Sequence, residues 1–89
     1  MAKVLFTPNI QRHVSCPATE AAGRTVAEVL ASVFSENPMA RHYVLDDQAA
    51  LRRHMTIFID GQPIRDRQTL SDAVNANSTV YVFQALSGG

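Results

Sequence analysis

The chain has 89 residues, enough for one domain whose folding buries roughly 64% of the surface an unfolded chain exposes. Eight Lys plus Arg offset eight Asp plus Glu, so the formal net charge is zero and offers no electrostatic footprint for nucleic acid or for an anionic membrane. Apolar runs fall far short of a membrane span, no signal-peptide h-region follows Met1, and the one cysteine, Cys16, excludes an internal disulfide; the expectation is a cytoplasmic protein.

Lys3-Val4-Leu5-Phe6-Thr7 reads as a first strand, ended by the turn pair Pro8-Asn9. A second strand is expected over residues 12–16, with Val14 and Cys16 on one face and His13 and Ser15 on the other. Residues 17–23 read as a loop. Thr25-Val26-Ala27-Glu28 then matches a capping box, with Thr25 as N-cap and Glu28 three positions on. Val26, Val29, Leu30, Val33 and Phe34 follow at the spacing of one helical face. Asn37-Pro38 ends this helix, because proline disfavours helical geometry in the residue before it.

Beyond the helix, residues 42–45 read as a short strand and Asp46-Asp47-Gln48 as a turn. A longer strand covers residues 51–60, rich in β-formers at Thr56-Ile57-Phe58-Ile59. Asp60-Gly61 signals a tight hairpin returning through Pro63-Ile64. Thr69 is placed as the cap of one helical turn through Leu70, Ala73 and Val74, and Thr79-Val80-Tyr81-Val82-Phe83 as the last strand. This order predicts an α+β layer: a mixed sheet of four to five strands on one main helix. Its inner face takes Val4, Phe6, Val14, Ile57, Ile59, Val80 and Val82 against Val26, Val29, Leu30 and Val33. The domain spans residues 1–84, and residues 85–89 form a flexible tail ending in Gly88-Gly89.

Two glycines at two given positions arise by chance in about 0.5% of sequences. They follow a strand closely, and the five residues 85–89 reach roughly 17 Å when extended. On residues 80–89, and on the Thr56–Ile64 stretch with its Asp60-Gly61 turn, the chain resembles the MoaD/ThiS family of ubiquitin-like (β-grasp) proteins, and its longer linker between helix and hairpin is most similar to that of the CysO-type carriers. It departs from many members at Gln84-Ala85, where they carry Pro-Pro or Pro-Ala, and at Ala76-Asn77-Ser78, where they carry Asp-Gly-Asp.

The resemblance implies a sulfur carrier, a protein co-substrate rather than an enzyme, with no bound cofactor. A ubiquitin-activating-like (MoeB/ThiF-like) adenylyltransferase would use Mg-ATP to adenylate Gly89, next to Gly88. A sulfur donor would convert it to a thiocarboxylate, and a downstream synthase would accept the sulfur for cysteine, molybdopterin, thiamin or thiolated tRNA. It also implies docking through an apolar patch on the outer sheet face. Phase places Phe58, Tyr81 and Phe83 there, near Pro63, Leu86 and Ser87, with Arg52 and Arg65 at the rim. Alternatives are a modifier joined through Gly89 to lysines, and an interaction domain with an idle tail. Lys3 is the only lysine, which argues against chain building.

No residue pattern indicates chemistry within the body. Cys16 is in phase with Val14 and reads as a buried structural thiol. His13, His42 and His54 lack the short spacings of zinc motifs, and Asp46-Asp47 is no calcium loop.

Overall fold

The computed structural model describes residues 1–12 and 14–84. Its elements are β1 (Ala2–Phe6), α1 (Pro8–Gln11), β2 (Thr19–Ala21), α2 (Val26–Glu36), α3 (Pro38–Val44), β3 (Met55–Ile59), β4 (Gln62–Pro63) and β5 (Thr79–Gln84). The five strands form one mixed sheet in the order β2-β1-β5-β3-β4. β1 and β5 run parallel; every other pairing is antiparallel. The expected α+β architecture is therefore present, and β5 is its central strand.

The capping box forms as expected. Thr25 Oγ1 accepts from the Glu28 N–H at 3.2 Å, while the Glu28 carboxylate reaches back to the Arg24 N–H at 2.9 Å, so one orphan donor of α2 and the N–H of the residue before its cap are satisfied locally. The apolar stripe of α2 buries Val26, Val29, Leu30 and Phe34, and Val33 packs partly buried beside them. On the sheet, Val4, Phe6, Ile57, Val80 and Val82 form the facing layer, with Ile59 only partly buried. Full burial of one Val or Leu side chain contributes about 1.5–3 kcal/mol, so these positions hold the two layers together.

Several expected elements differ. Pro8-Asn9 opens helix α1, since proline's fixed φ suits a first helical position and Thr7 is extended before it. The Val14 N–H then donates to Ile10 O, and the described residues of 12–16 are turn and loop rather than strand. Val14 and Cys16 are buried as two anchors of that loop, which is why their alternation imitates a strand; His13 lies outside the described residues. The second strand falls instead at Thr19–Ala21, inside the expected loop.

Residues 42–45 are not a strand. Asn37 ends α2 and at once caps α3, its Oδ1 accepting from the Ala40 N–H at 3.3 Å with Pro38 at the first turn. The strand expected over 51–60 shortens to Met55–Ile59, because Arg52 to His54 turn back on α3. Thr69 caps no helix. Asp66 gathers the Gln68, Thr69 and Ser71 N–H groups, and Leu70 takes a left-handed φ of 57° that interrupts any helical path.

Candidate functional site

Alternation along β5 sets the site. Val80 and Val82 point into the core at 0% exposure, so Tyr81 and Phe83 must point outward, with Phe83 39% exposed. β3 repeats the phase: Ile57 is buried and Phe58 half-buried on the outer side. Register brings these residues together. Tyr81 lies opposite Phe58 on one side and Leu5 on the other, and Phe58 lies opposite Pro63. Leu5, Tyr81, Phe58 and Pro63 thus form one row across four strands, with Phe83 and its cross-strand neighbour Thr56 one step along.

The rings touch. Phe58 and Phe83 have centroids 6.3 Å apart at 75°, an edge-to-face pair, and Tyr81 and Phe83 are 6.3 Å apart at 42°. Such pairs add about 0.5–1.5 kcal/mol beyond area burial, which favours these ring positions. Leu5 belongs to the row and was absent from the sequence reading, although Val4 and Phe6 pointing inward already require it to face out. Arg52 is tied by Nε to the His42 carbonyl at 3.0 Å, and Arg65 is exposed beyond β4.

The hairpin at the far end is a two-residue turn, Ile59 pairing with Gln62 across Asp60-Gly61. Both turn residues have positive φ, 50° and 87°, the geometry that matches strand twist. Asp60 Oδ1 accepts from the Thr79 N–H at 2.9 Å and its own N–H donates to Thr79 O. The hairpin therefore grips the start of β5. At the other end of β5, Gln84 lies opposite Met55, and the Tyr43 hydroxyl donates to its Oε1 at 3.3 Å. Gln84 is the root of the tail. Leu86, Ser87, Gly88 and Gly89 lie outside the described residues.

Cys16, Asp66 and Asp46 serve the fold. Cys16 is 2% exposed and its thiol donates to Val14 O at 3.3 Å; burial pushes its pKa up, away from the reactive thiolate. The Ser71 and Thr69 hydroxyls, then backbone N–H groups, hold the Asp66 carboxyl well below the usual carboxylate range. Asp46 accepts from the N–H groups of Gln48 and Ala50 and closes its own turn. Among the described residues, no cluster of His, Cys, Asp and Glu could hold a metal ion, and no helix is long and apolar enough to cross a membrane.

The ThiS family model matches residues 9–89 of the chain. No curated protein matches it by sequence. Among solved structures, small archaeal modifier protein 1 from Methanosarcina acetivorans superposes with a TM-score of 0.79 at 22% identity, covering 99% of this chain and 95% of that one. CysO of Mycobacterium tuberculosis gives 0.79 at 17% identity over 97% and 100%. A chain of the Amycolatopsis orientalis BexX/CysO complex gives 0.78 at 24% identity over 100% of both.

Proposed function

The chain belongs to the ThiS family of ubiquitin-like β-grasp sulfur carriers, and from that premise we propose that the carboxylate of Gly89 is its working group. The observation that supports this is the position of β5: the sheet's central strand, gripped at both ends and carrying the outward Tyr81 and Phe83, runs to Gln84, five residues before Gly89 in the sequence. The body serves as a handle, and residues 85–89 as a probe long enough to enter a partner's active site.

A carboxylate is ionised at neutral pH and is a poor electrophile. In the proposed sequence an adenylyltransferase of the MoeB/ThiF type directs a Gly89 oxygen onto the α-phosphorus of ATP, and pyrophosphate leaves. A persulfide sulfur attacks the acyl carbon of the resulting anhydride and expels AMP. A second thiol reduces the acyl disulfide so formed, giving a thiocarboxylate and an ordinary disulfide. A downstream synthase then takes the sulfur. Glycines suit the tail because, lacking Cβ, they pass a narrow channel and adopt whichever φ the site demands. The assembly of a similar chain in the BexX/CysO complex supports the expectation that such carriers work through protein partners. An ATP-using pathway and a free Cys16 favour the cytoplasm as its place.

Phe58, Tyr81, Phe83 and Pro63 are proposed to seat the adenylyltransferase, with Leu86 and Ser87 following into its channel. The test is intact-mass measurement after incubation with ATP, the adenylyltransferase and a sulfur donor. The expected result is a gain equal to one oxygen-to-sulfur exchange, localised to the tail. Absence of that gain, with an enzyme proven active on another carrier, overturns the reading.

Likeness to small archaeal modifier protein 1 supports a second reading, in which activated Gly89 forms an isopeptide with a lysine of another protein. Incubation with cell extract separates the two: conjugates of higher mass, abolished by removing Gly89, favour the modifier.

A further inference from the structure

The formal charge of the chain is zero, yet the segments that lead to the tail root carry four arginines. Three segments meet the end of β5. Residues 7–17 follow β1, which runs parallel to β5; the Thr7 N–H donates to Val82 O, and α1 packs on β5. Residues 37–45 supply Tyr43, which holds Gln84. Residues 48–55 lead into Met55, the cross-strand neighbour of Gln84. These segments contain Arg12, Arg41, Arg52 and Arg53 and no Asp or Glu; Asp46 and Asp47 lie in the turn that joins the second segment to the third.

Two of these cations are presented outward. Arg12 is exposed at the C-terminal end of α1, and Arg53 is exposed in the turn before β3. Neither side chain has a partner among the described residues. The turn that carries Arg53 is held unusually firmly for a loop. One Arg67 nitrogen, Nη2, donates to the carbonyls of Arg52, Arg53 and Met55 at 2.9, 3.3 and 2.6 Å, the Arg52 N–H donates to Val44 O, and the Met55 N–H donates to Arg52 O. Arg53 is thus set on a fixed base on the β3 side of the root, and Arg12 on the β1 side.

We propose that Arg12 and Arg53 form a cationic collar on either side of the tail root, and that this collar docks on a carboxylate-lined rim around the tail channel of the adenylyltransferase. The proposal rests on the Gly89 reading and adds a second contact to the aromatic face. Reach selects this occupant. Five residues at full extension would carry a nucleotide roughly 17 Å from the root, beyond the reach of an arginine anchored on the body, so the collar meets the mouth of the channel rather than the phosphates. Two exposed cations on a neutral chain are also too few for a nucleic-acid footprint. Charges placed so mainly speed and orient the encounter.

The test measures ATP–pyrophosphate exchange by the organism's own adenylyltransferase as a function of carrier concentration, for the full chain and for Arg53→Glu, Arg12→Glu and the double variant. Both substituted positions are exposed, and circular dichroism melting checks that each of the three variants folds. At an ionic strength of about 0.05 M each single reversal is expected to raise KM about fivefold with kcat unchanged; at about 0.5 M the difference shrinks below about twofold. Arg53→Lys should keep the wild-type KM. A KM unaffected by both reversals, or a loss that salt does not relieve, overturns the collar while exchange by the wild-type chain leaves the Gly89 reading standing. Binding of a labelled RNA oligonucleotide that Arg53→Glu abolishes, with KM unchanged, also overturns it. No exchange with the wild-type chain, by an enzyme active on another carrier, overturns both.

Discussion

Phe83 meets Phe58 edge to face across the two central antiparallel strands, their ring centroids 6.3 Å apart. The contact joins the last strand to the hairpin strand on the outer side of the sheet, yet Phe83 keeps 39% of its surface open. A side chain so placed contributes little to the core and much to any surface laid over it. Phe83→Ala should therefore lower the folding free energy by only about 1 kcal/mol. The same change should weaken binding to the adenylyltransferase tenfold or more, as loss of an aromatic anchor does, by about 1.4 kcal/mol or above. Urea denaturation and isothermal titration calorimetry check the two halves separately.

Gly23 and Gly61 are both at positive φ, but for different reasons. A Cβ on Gly23 would lie 2.7 Å from the Val29 backbone nitrogen and 2.9 Å from Val29 Cγ2, whereas one on Gly61 would meet nothing within 4 Å. Gly61→Ala should cost about 1 kcal/mol, the strain of an ordinary residue in a left-handed turn. Gly23→Ala adds a collision with the first turn of α2 and should cost about 3 kcal/mol. Chemical denaturation of the two variants gives the order directly.

Asp66 makes part of the stability depend on acid. Its folded pKa is depressed, so the stabilisation is fully present above its unfolded value, about 3.9, and is lost as pH falls through the folded value. Asp66→Asn should melt below wild type at pH 7. The gap should close as pH is lowered from about 4 toward about 2. Thermal melts across that range, read with a probe near the 66–72 turn, show whether the gap narrows; a constant gap contradicts the assignment.

Cys16 should be silent in the sulfur chemistry. With the thiol buried and its pKa raised by desolvation, a disulfide reagent at pH 8 should modify it only as fast as the protein opens. Addition of denaturant should accelerate labelling sharply. Cys16→Ala removes a small buried side chain and should cost about 1 kcal/mol while leaving tail thiocarboxylation intact by mass measurement.

Local chemistry made much of this molecule readable from its residues. Thr25 and Glu28 bond within one helical turn, Asp60-Gly61 forces a two-residue hairpin, and the alternation of Val80 and Val82 with Tyr81 and Phe83 assigns inner and outer faces by a period of two. Each depends on neighbours a few residues apart. The diglycine end that motivates the function is likewise a property of sequence alone, and Gly88 and Gly89 lie outside the described residues.

Where a pattern had two physical sources, the sequence did not decide between them. Val14 and Cys16 alternate because a loop sinks two anchors into the core, and Asn37-Pro38 ends one helix while starting the next. Placing the elements side by side depended on contacts distant in the chain. Only strand pairing sets Phe58 opposite Tyr81, brings Leu5 to the same row, and lays β1 parallel to β5. Pairing Met55 with Gln84 likewise brings the Arg67-braced turn of Arg53 beside the tail root. Residue types and periods determine which face each side chain takes; closure of long loops around a shared core determines which faces meet.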